Sequence, residues 1–536
     1  MFLDIENKRK MNPAMIQDNG AMVTYGELTG FCREAIVGFP DRALIFILCK
    51  NNIASVAGYA AAMSANCVPL MLSADIDEEL LQTLIDTYDP DYIWLPNADA
   101  DTNVDHWAPT SVTGTSAKAI AERDAETKKQ VEAAKKAAEA KASAHVGQTV
   151  KVTQKTSGEV RMDRYDYNLV RLKSWDTIVE QAKMPTDREI MEGKKPRLHP
   201  ELALLMTTSG STGSPKLVRQ SMTNVLVNAA AIVDYLEIGE FDRAITTLPM
   251  SYTYGLSIVN SHLLAGAELL LTDISIMQRE FWTFFQKEKA TSIAGVPYTY
   301  EMLKRLKFTD MMLPSLKYMT QAGGRLRKDL HKEFAEFAET SRKRFYVMYG
   351  QTEATARMSY LPYVHALKKV GSIGVAIPGG AIFLEDEQGN QIEEPHVAGE
   401  LVYHGRNVTH GYATCLADLA KDDENGGILH TGDMAEMDED GYFFIVGRKK
   451  RFLKIYGNRV SLDECEDLIA KRYSLECACT GKDDEMHIYI TGKVGEEVVA
   501  EFISGKTGLN PKAFVVKHID AIPRSGSGKV AYGELE

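Results

Sequence analysis

The sequence predicts an α/β protein, with a large N-terminal domain of stacked α/β subdomains and a small, mobile α+β C-terminal domain. Three observations predict it. Apolar strand-like runs alternate with helix-like segments over residues 20–96. The same alternation resumes at Leu202 and runs to about Val446. The chain has 536 residues, more than one hydrophobic core usually organises. The domains are expected at 1–446 and 447–536, with an insertion at about 98–162.

In chain order, Tyr25 to Phe39 reads as a helix. "ALIFILC" (Ala43 to Cys49) is apolar at every position, as a parallel strand buried on both faces requires. Asn51 to Asn66 is Ala-rich and helical, Val68 to Leu72 a strand, Asp75 to Tyr88 a helix and Tyr92 to Leu95 a strand. From about Ala98 the character changes. Ser116 to His145 is dense in Ala, Lys and Glu, without Gly or Pro, and has only a narrow apolar stripe, so a solvated helix is expected. "GQTVKVTQKTSGEVRM" reads as a polar hairpin turning near Ser157-Gly158. Leu202 to Met206 is a strand and Asn224 to Leu236 a helix. Near residue 447, "GRKKRFLKIYGNR" is a basic, Gly-containing segment between two globular patterns, as a hinge is.

Composition narrows the function. An apolar fraction of 45% and a charged fraction of 25% are those of an ordinary globular protein. A net charge of −13 argues against nucleic acid or an anionic membrane as partner. No apolar run approaches the ~20 residues of a membrane span, and residues 1–11 lack the apolar core of a signal peptide, so a cytoplasmic location is expected. The seven cysteines are scattered and odd in number, which reads as reduced thiols.

The most informative stretch is "LALLMTTSGSTGSPKLVRQS". A buried strand runs into Thr208, Ser209, Gly210, Ser211, Thr212, Gly213 and, after Ser214-Pro215, Lys216. Small hydroxyl and glycine residues let the backbone approach phosphate oxygens with N–H and O–H donors, and the lysine adds a cation. Pro215 stands where the Walker motif needs Gly, and no G-x-G-x-x-G is present, so both of those nucleotide motifs are excluded here.

This loop resembles the signature loop of the adenylate-forming superfamily, which includes acyl-CoA synthetases, peptide-synthetase adenylation domains and beetle luciferases. Further motifs stand in the family's order. "QAGG" holds Gly323 and Gly324, "YVMYGQTEATARMSY" holds Tyr349, Gly350, Thr352 and Glu353, "HTGD" holds Asp433, "GRKKRFLKIYGNR" holds Arg448, Lys450, Lys454 and Gly457, and "IPRSGSGK" ends on Lys529.

The resemblance implies roles. The loop 208–213 with Lys216 would grip the leaving phosphates of ATP. Gly323 would line the adenine site and Gly324 the acyl pocket. Tyr349 would stack on adenine beside Gly350, and Thr352 would donate to the α-phosphate. Glu353, a hard oxygen ligand, would hold Mg²⁺. Asp433 and Arg448 would contact the ribose. Lys450 would be the hinge, Lys454 would enter the site after rotation, and Lys529 would bridge the substrate carboxylate and the α-phosphate.

The implied reaction is ATP-dependent conversion of a small carboxylic acid to acyl-AMP, with release of pyrophosphate and transfer to a thiol. Coenzyme A and the phosphopantetheine arm of a separate acyl carrier protein both stand open as acceptor. A stand-alone adenylating enzyme and a non-catalytic nucleotide-binding scaffold are the alternatives. "TLPMSYTYGLSIVN" resembles the acyl-pocket segment, with Tyr252 and Tyr254 as candidate caps on the acid. Tyr252 stands where aryl and fatty acyl-CoA synthetases often carry His. No Asp lies between Leu248 and Leu271, which disfavours an α-amino acid.

Overall fold

The computed structural model describes residues 1–96, 159–162, 167–171, 198–207, 216–449, 451–456, 458–482, 484–524 and 530–535. The helical part of the expected insertion, the phosphate-loop residues 208–215, Lys450, Gly457 and Lys529 lie outside the described residues, as do the side chains of Lys454 and Arg459.

Two large sheets face each other across a layer of helices. The first has eight strands, ordered 412–413, 217–221, 202–207, 68–73, 44–49, 92–96, 167–171 and 159–162, and its central four are parallel. The second has nine, ordered 375–376, 359–360, 344–349, 318–321, 292–295, 243–245, 268–271, 13–17 and 22–24. Buried strands show how one sequence feeds two cores. Ile45, Ile47 and Cys49 pack into the cluster between the sheets, while Leu44, Phe46 and Leu48 face a second cluster with Leu81, Leu84 and Ile85 of the helix Glu78–Tyr88. Leu269 and Leu271 likewise face inward and Leu270 outward, onto a cluster with Phe281, Phe285 and Phe334. This is the period-two alternation of a strand covered on both faces. The helices Tyr25–Gly38, Ile53–Ser64, Met222–Leu236 and Thr253–Ala265 contribute to the cluster between the sheets. The mixed α/β architecture is therefore the one expected from the sequence.

Local chemistry sets the helix ends. Thr24 and Ser221 close capping boxes with Glu27 and Asn224, and Asn52 and Asp77 each accept from a first-turn N–H. Observed strands and helices between residues 25 and 96 lie within a few residues of those expected.

The expected hairpin turn at Ser157-Gly158 lies outside the described residues; Glu159–Met162 pairs with Tyr167–Arg171, and these two strands extend the eight-stranded sheet beside Tyr92–Pro96. Val160 and Leu169 are cross-strand partners, so the apolar alternation continued one strand beyond the stretch taken as the hairpin. The α/β alternation does not continue to Val446. From Gly380 to Arg448 the chain forms a five-stranded antiparallel sheet joined by turns, with Leu384, Leu401, Ala435 and Phe443 as its core. Asp438, in the turn before Gly441, is buried. It accepts from Lys369 Nζ at 2.7 Å and from the N–H groups of Asp440 and Tyr442.

Beyond residue 451, Phe452–Ile455 pairs with Asn458–Ser461, and a three-stranded sheet carries the helices Leu462–Tyr473 and Glu496–Thr507 over a core of its own.

Candidate active site

Several of the expected site residues follow the carboxyl ends of parallel strands, where α/β sheets present ligand sites. Tyr318–Gln321 leads to Gly323 and Gly324, Arg344–Tyr349 leads to Glu353, and Leu202–Thr207 leads to the phosphate loop.

The turn after Tyr349 is tightly built. A Cβ on Gly350 would lie 1.9 Å from the carbonyl oxygen of Ala356, so only glycine lets the returning backbone pass. Thr352–Ala354 form one 3₁₀ turn, and Thr355 holds φ 67°, ψ −62°, with its hydroxyl donating to Asn407 O at 2.8 Å. Non-glycine residues keep such a backbone only where their surroundings impose it.

One side of this turn faces Asp433, which is buried at 4% exposure. Oδ2 accepts from the hydroxyl of Tyr349 and from Gln351 Nε2 at 2.9 Å, and Oδ1 pairs with Arg448 Nε at 3.1 Å. Asp433 and Arg448 are register partners on adjacent strands, so the sheet itself places cation against carboxylate. Gln351 also donates to Thr431 O at 3.0 Å. The Tyr349 hydroxyl is held protonated, first by burial and then by the charge of Asp433, which push its pKa well up. Tyr349 therefore touches the Asp433 carboxylate through its tip.

The other side carries Glu353. Its Oε1 accepts from Tyr412 OH at 2.7 Å, and its carbonyl accepts from Thr409 N and Oγ1, both at 2.9 Å. Lys216 Nζ lies 3.2 Å from the centroid of the same Tyr412 ring. A cation over the face and a carboxylate at the tip of one aromatic ring bring the phosphate-loop lysine and the candidate metal acid together. Tyr412 is positioned by buried Arg219, whose Nε donates to Tyr412 O at 3.1 Å and whose Nη2 meets Glu424 at 2.6 Å. Glu353 Oε2 has no hydrogen-bonding partner among the described residues, and the residue is half-exposed. A hard, partly open carboxylate next to a lysine fits a magnesium–phosphate ion pair.

The third group is the candidate acyl pocket. A Cβ on Gly323, whose φ is +83°, would meet the Tyr252 hydroxyl at 2.5 Å and Val296 at 3.1 Å, and one on Gly324 would meet Pro297 at 3.1 Å. Tyr252 and Tyr254 are edge-to-face at 6.5 Å. Tyr254 bonds Thr320 Oγ1 at 2.8 Å. Burial pushes the Tyr252 hydroxyl up to about 12, so it acts as a neutral donor.

The structure thus brings Tyr349, Glu353, Asp433, Arg448 and Lys216 into one linked site, and Gly323 and Tyr252 into another wall. Sequence reasoning missed Gln351, although it stands inside the quoted motif, and Tyr412. "THGYATC" carries no pattern that distinguishes Tyr412 from any surface tyrosine; only tertiary contact with Glu353 does.

Comparison with known proteins identifies the family and the fold. A sequence profile of the family described as AMP-binding enzyme matches residues 5–413. An indoleacetate–CoA ligase from Aromatoleum aromaticum is 26% identical over 383 residues, covering 67% of this chain and 70% of that protein. A long-chain-fatty-acid–CoA ligase from Yersinia pestis is 30% identical over 394 residues, covering 67% and 66%. The o-succinylbenzoate CoA synthetase of Bacillus subtilis shares the fold. Its complex with the acyl-adenylate OSB-AMP superposes with a TM-score of 0.69 at 19% identity, covering 100% of this chain and 97% of that one. Its complex with ATP and magnesium superposes at 0.68 and 19%, covering 99% and 98%. No helix among the described residues is long and apolar enough to cross a membrane.

Proposed function

Because this chain belongs to the AMP-binding enzyme family and is an AMP-forming acid–thiol ligase, we propose that it activates a small carboxylic acid through the turn 349–353 and transfers it to coenzyme A. One observation carries the reading: that turn presents Tyr349 to Asp433 and Glu353 to the Tyr412–Lys216 pair within five residues. A carboxylate becomes an acyl donor once its oxygen attacks the α-phosphate of ATP and pyrophosphate leaves. The protein's part is positioning and charge.

Asp433 accepts from the ribose hydroxyls, exchanging its bonds from Tyr349 and Gln351 for them, while Arg448 keeps the carboxylate charged. Lys216, with the hydroxyl and glycine residues Thr208 to Gly213, holds the departing phosphates. Thr352 donates to the α-phosphate. Glu353 is oriented by Tyr412 toward Mg²⁺, which when bound supplies charge neutralisation for the phosphates. Gly324, Tyr252 and Tyr254 wall the acid, and Gly323, read from the sequence as lining the adenine site, is assigned to the same wall because its Cβ position meets Tyr252. Residues 447–536 form the cap: Lys529 adds the cation between carboxylate and α-phosphate, and rotation at Lys450 exchanges it for the Lys454 segment, opening the route for the thiol. The acceptor is free coenzyme A, as the relatives' names support, rather than a separate carrier protein, and the location is cytoplasmic.

Acid-dependent ATP–pyrophosphate exchange over a panel of carboxylic acids tests the first half, and thioester formation with free coenzyme A against carrier protein tests the second. Lys529→Ala is expected to abolish exchange while sparing transfer from supplied acyl-AMP. Exchange at the wild-type rate would remove that lysine from the mechanism. Lys450→Pro is expected to spare exchange and slow thioester formation, and equal loss of both would dismiss the hinge.

A further inference from the structure

Arg357 is a buried cation with no anion paired to it among the described residues. It is 2% exposed, and a guanidinium cannot shed its charge to ease burial. Its Nη1 donates to Tyr235 OH at 3.0 Å and to Met348 Sδ at 3.3 Å, both neutral acceptors. Its Nε is buried with no partner. No carboxylate pairs with it among the described residues. Asp242, the acid whose charge reaches the neighbouring His262 and Tyr318, is committed to Lys317 Nζ at 2.8 Å, to Thr291 and to the N–H of Gly239. His262 supplies no compensating charge. Its Nδ1 faces the Ile258 carbonyl at 2.9 Å and so carries the proton, which leaves Nε2 to accept from Tyr318 OH at 3.2 Å in the neutral form.

The place of this cation matters. Its guanidinium lies 4.9 Å from the ring of Tyr254, and Tyr254 stands beside Tyr252, which packs against Gly323. Arg357 is therefore behind the residues assigned above to the acyl pocket. It lines a small cavity with His262, Ser292, Tyr318 and Thr320, a polar end to an otherwise apolar wall. The cavity has room for about one water.

We propose that Arg357 is a specificity-determining residue that pairs with a second, distal carboxylate of the acid, so that the substrate is a short dicarboxylic acid activated at one end. This rests on the acyl-pocket reading above. A plain monocarboxylic acid would leave the guanidinium unpaired in the bound state, and a site built to hydrogen-bond a group discriminates strongly against analogues lacking it.

The test compares α,ω-dicarboxylic acids of increasing length with their monomethyl esters, by acid-dependent pyrophosphate exchange and, separately, by the shift in melting temperature each ligand produces in the full-length protein. The wild-type enzyme is expected to prefer one dicarboxylic acid over its monoester by about tenfold or more in kcat/KM. Arg357→Gln is expected to bring that ratio close to one by raising KM for the dicarboxylic acid, and Arg357→Lys to retain part of it. Equal use of diacid and monoester by the wild type, or an unchanged ratio in a folded Arg357→Gln, overturns the proposal. If Arg357→Gln fails to fold, the wild-type ratio decides alone. Absence of exchange with every acid would count against adenylation. The anion site would then stand only if a dicarboxylic acid, and not its monoester, still raised the wild-type melting temperature, and it would fall if neither did.

Discussion

Tyr412 is one side chain with two separable contacts. Its hydroxyl orients Glu353 and its ring carries Lys216. Tyr412→Phe removes only the first. A hydrogen bond to a charged group contributes about 1.5–3 kcal/mol, so the expected loss in pyrophosphate exchange is roughly 10- to 100-fold, appearing as a weaker response to Mg²⁺. Tyr412→Leu removes both contacts, and its loss should be larger and extend to KM for ATP. Equal exchange rates in Tyr412→Phe and wild type would show that Glu353 needs no orientation. Asp433→Asn tests the other side of the turn. The amide keeps the shape but loses the charge that Arg448 and Tyr349 address. KM for ATP is expected to rise about tenfold or more, with a smaller change in KM for the acid.

At the scale of elements, the glycine turn 322–324 tests the proposed acyl pocket. Gly323 combines a positive φ with a Tyr252 hydroxyl 2.5 Å from where its Cβ would be. Gly323→Ala must both strain the backbone, at about 1 kcal/mol, and push Tyr252 aside. KM for the acid is expected to rise several-fold while KM for ATP moves little; an equal rise in both would place Gly323 on the nucleotide instead. The elements also show what was legible in the sequence. Strands such as Leu44–Cys49 announced themselves because burial on both faces leaves no polar position. The turn 349–353 was legible as a motif because Gly350 and Glu353 lie close together in the chain. The sheet from Gly380 to Arg448 was not, because strands such as Gly380–Glu385 and Ile428–Met437 show mixed exposure rather than burial on both faces. Nor was the partnership of Tyr412 with Glu353, which are 59 residues apart, or the isolation of Arg357, which is a statement about what does not surround it.

At the scale of the whole molecule, the contacts between the 451–535 unit and the larger body include one exposed ion pair and one cation near an aromatic ring. Arg325 pairs with Asp467, and Arg524 lies 5.8 Å from the Tyr298 ring. Both members of the ion pair are about half-exposed, so it contributes at most about 1 kcal/mol and would offer little resistance to the cap rotation proposed above. The larger body is held differently, by buried neutral histidines whose titration sets its acid limit. His331 Nε2–H donates to Ala366 O at 2.9 Å and its Nδ1 accepts from the Gly371 N–H at 3.1 Å, so adding a proton to Nδ1 breaks the second bond. Burial holds its pKa down at about 4, against about 6.5 in the unfolded chain. His262, also buried, is held at about 4. Between those values the unfolded state binds more protons than the folded one, so stability is full above about pH 6.5 and falls as pH drops toward 4, by up to about 3 kcal/mol per site. Urea denaturation of wild type at pH 7 and pH 5 should show this loss. His331→Gln is expected to be less stable at pH 7, having lost the clip on residues 366–371, yet to lose less on going to pH 5. An identical pH slope in the two proteins would mean that His331 already titrates as a solvent-exposed imidazole, and the acid limit would have to be sought elsewhere.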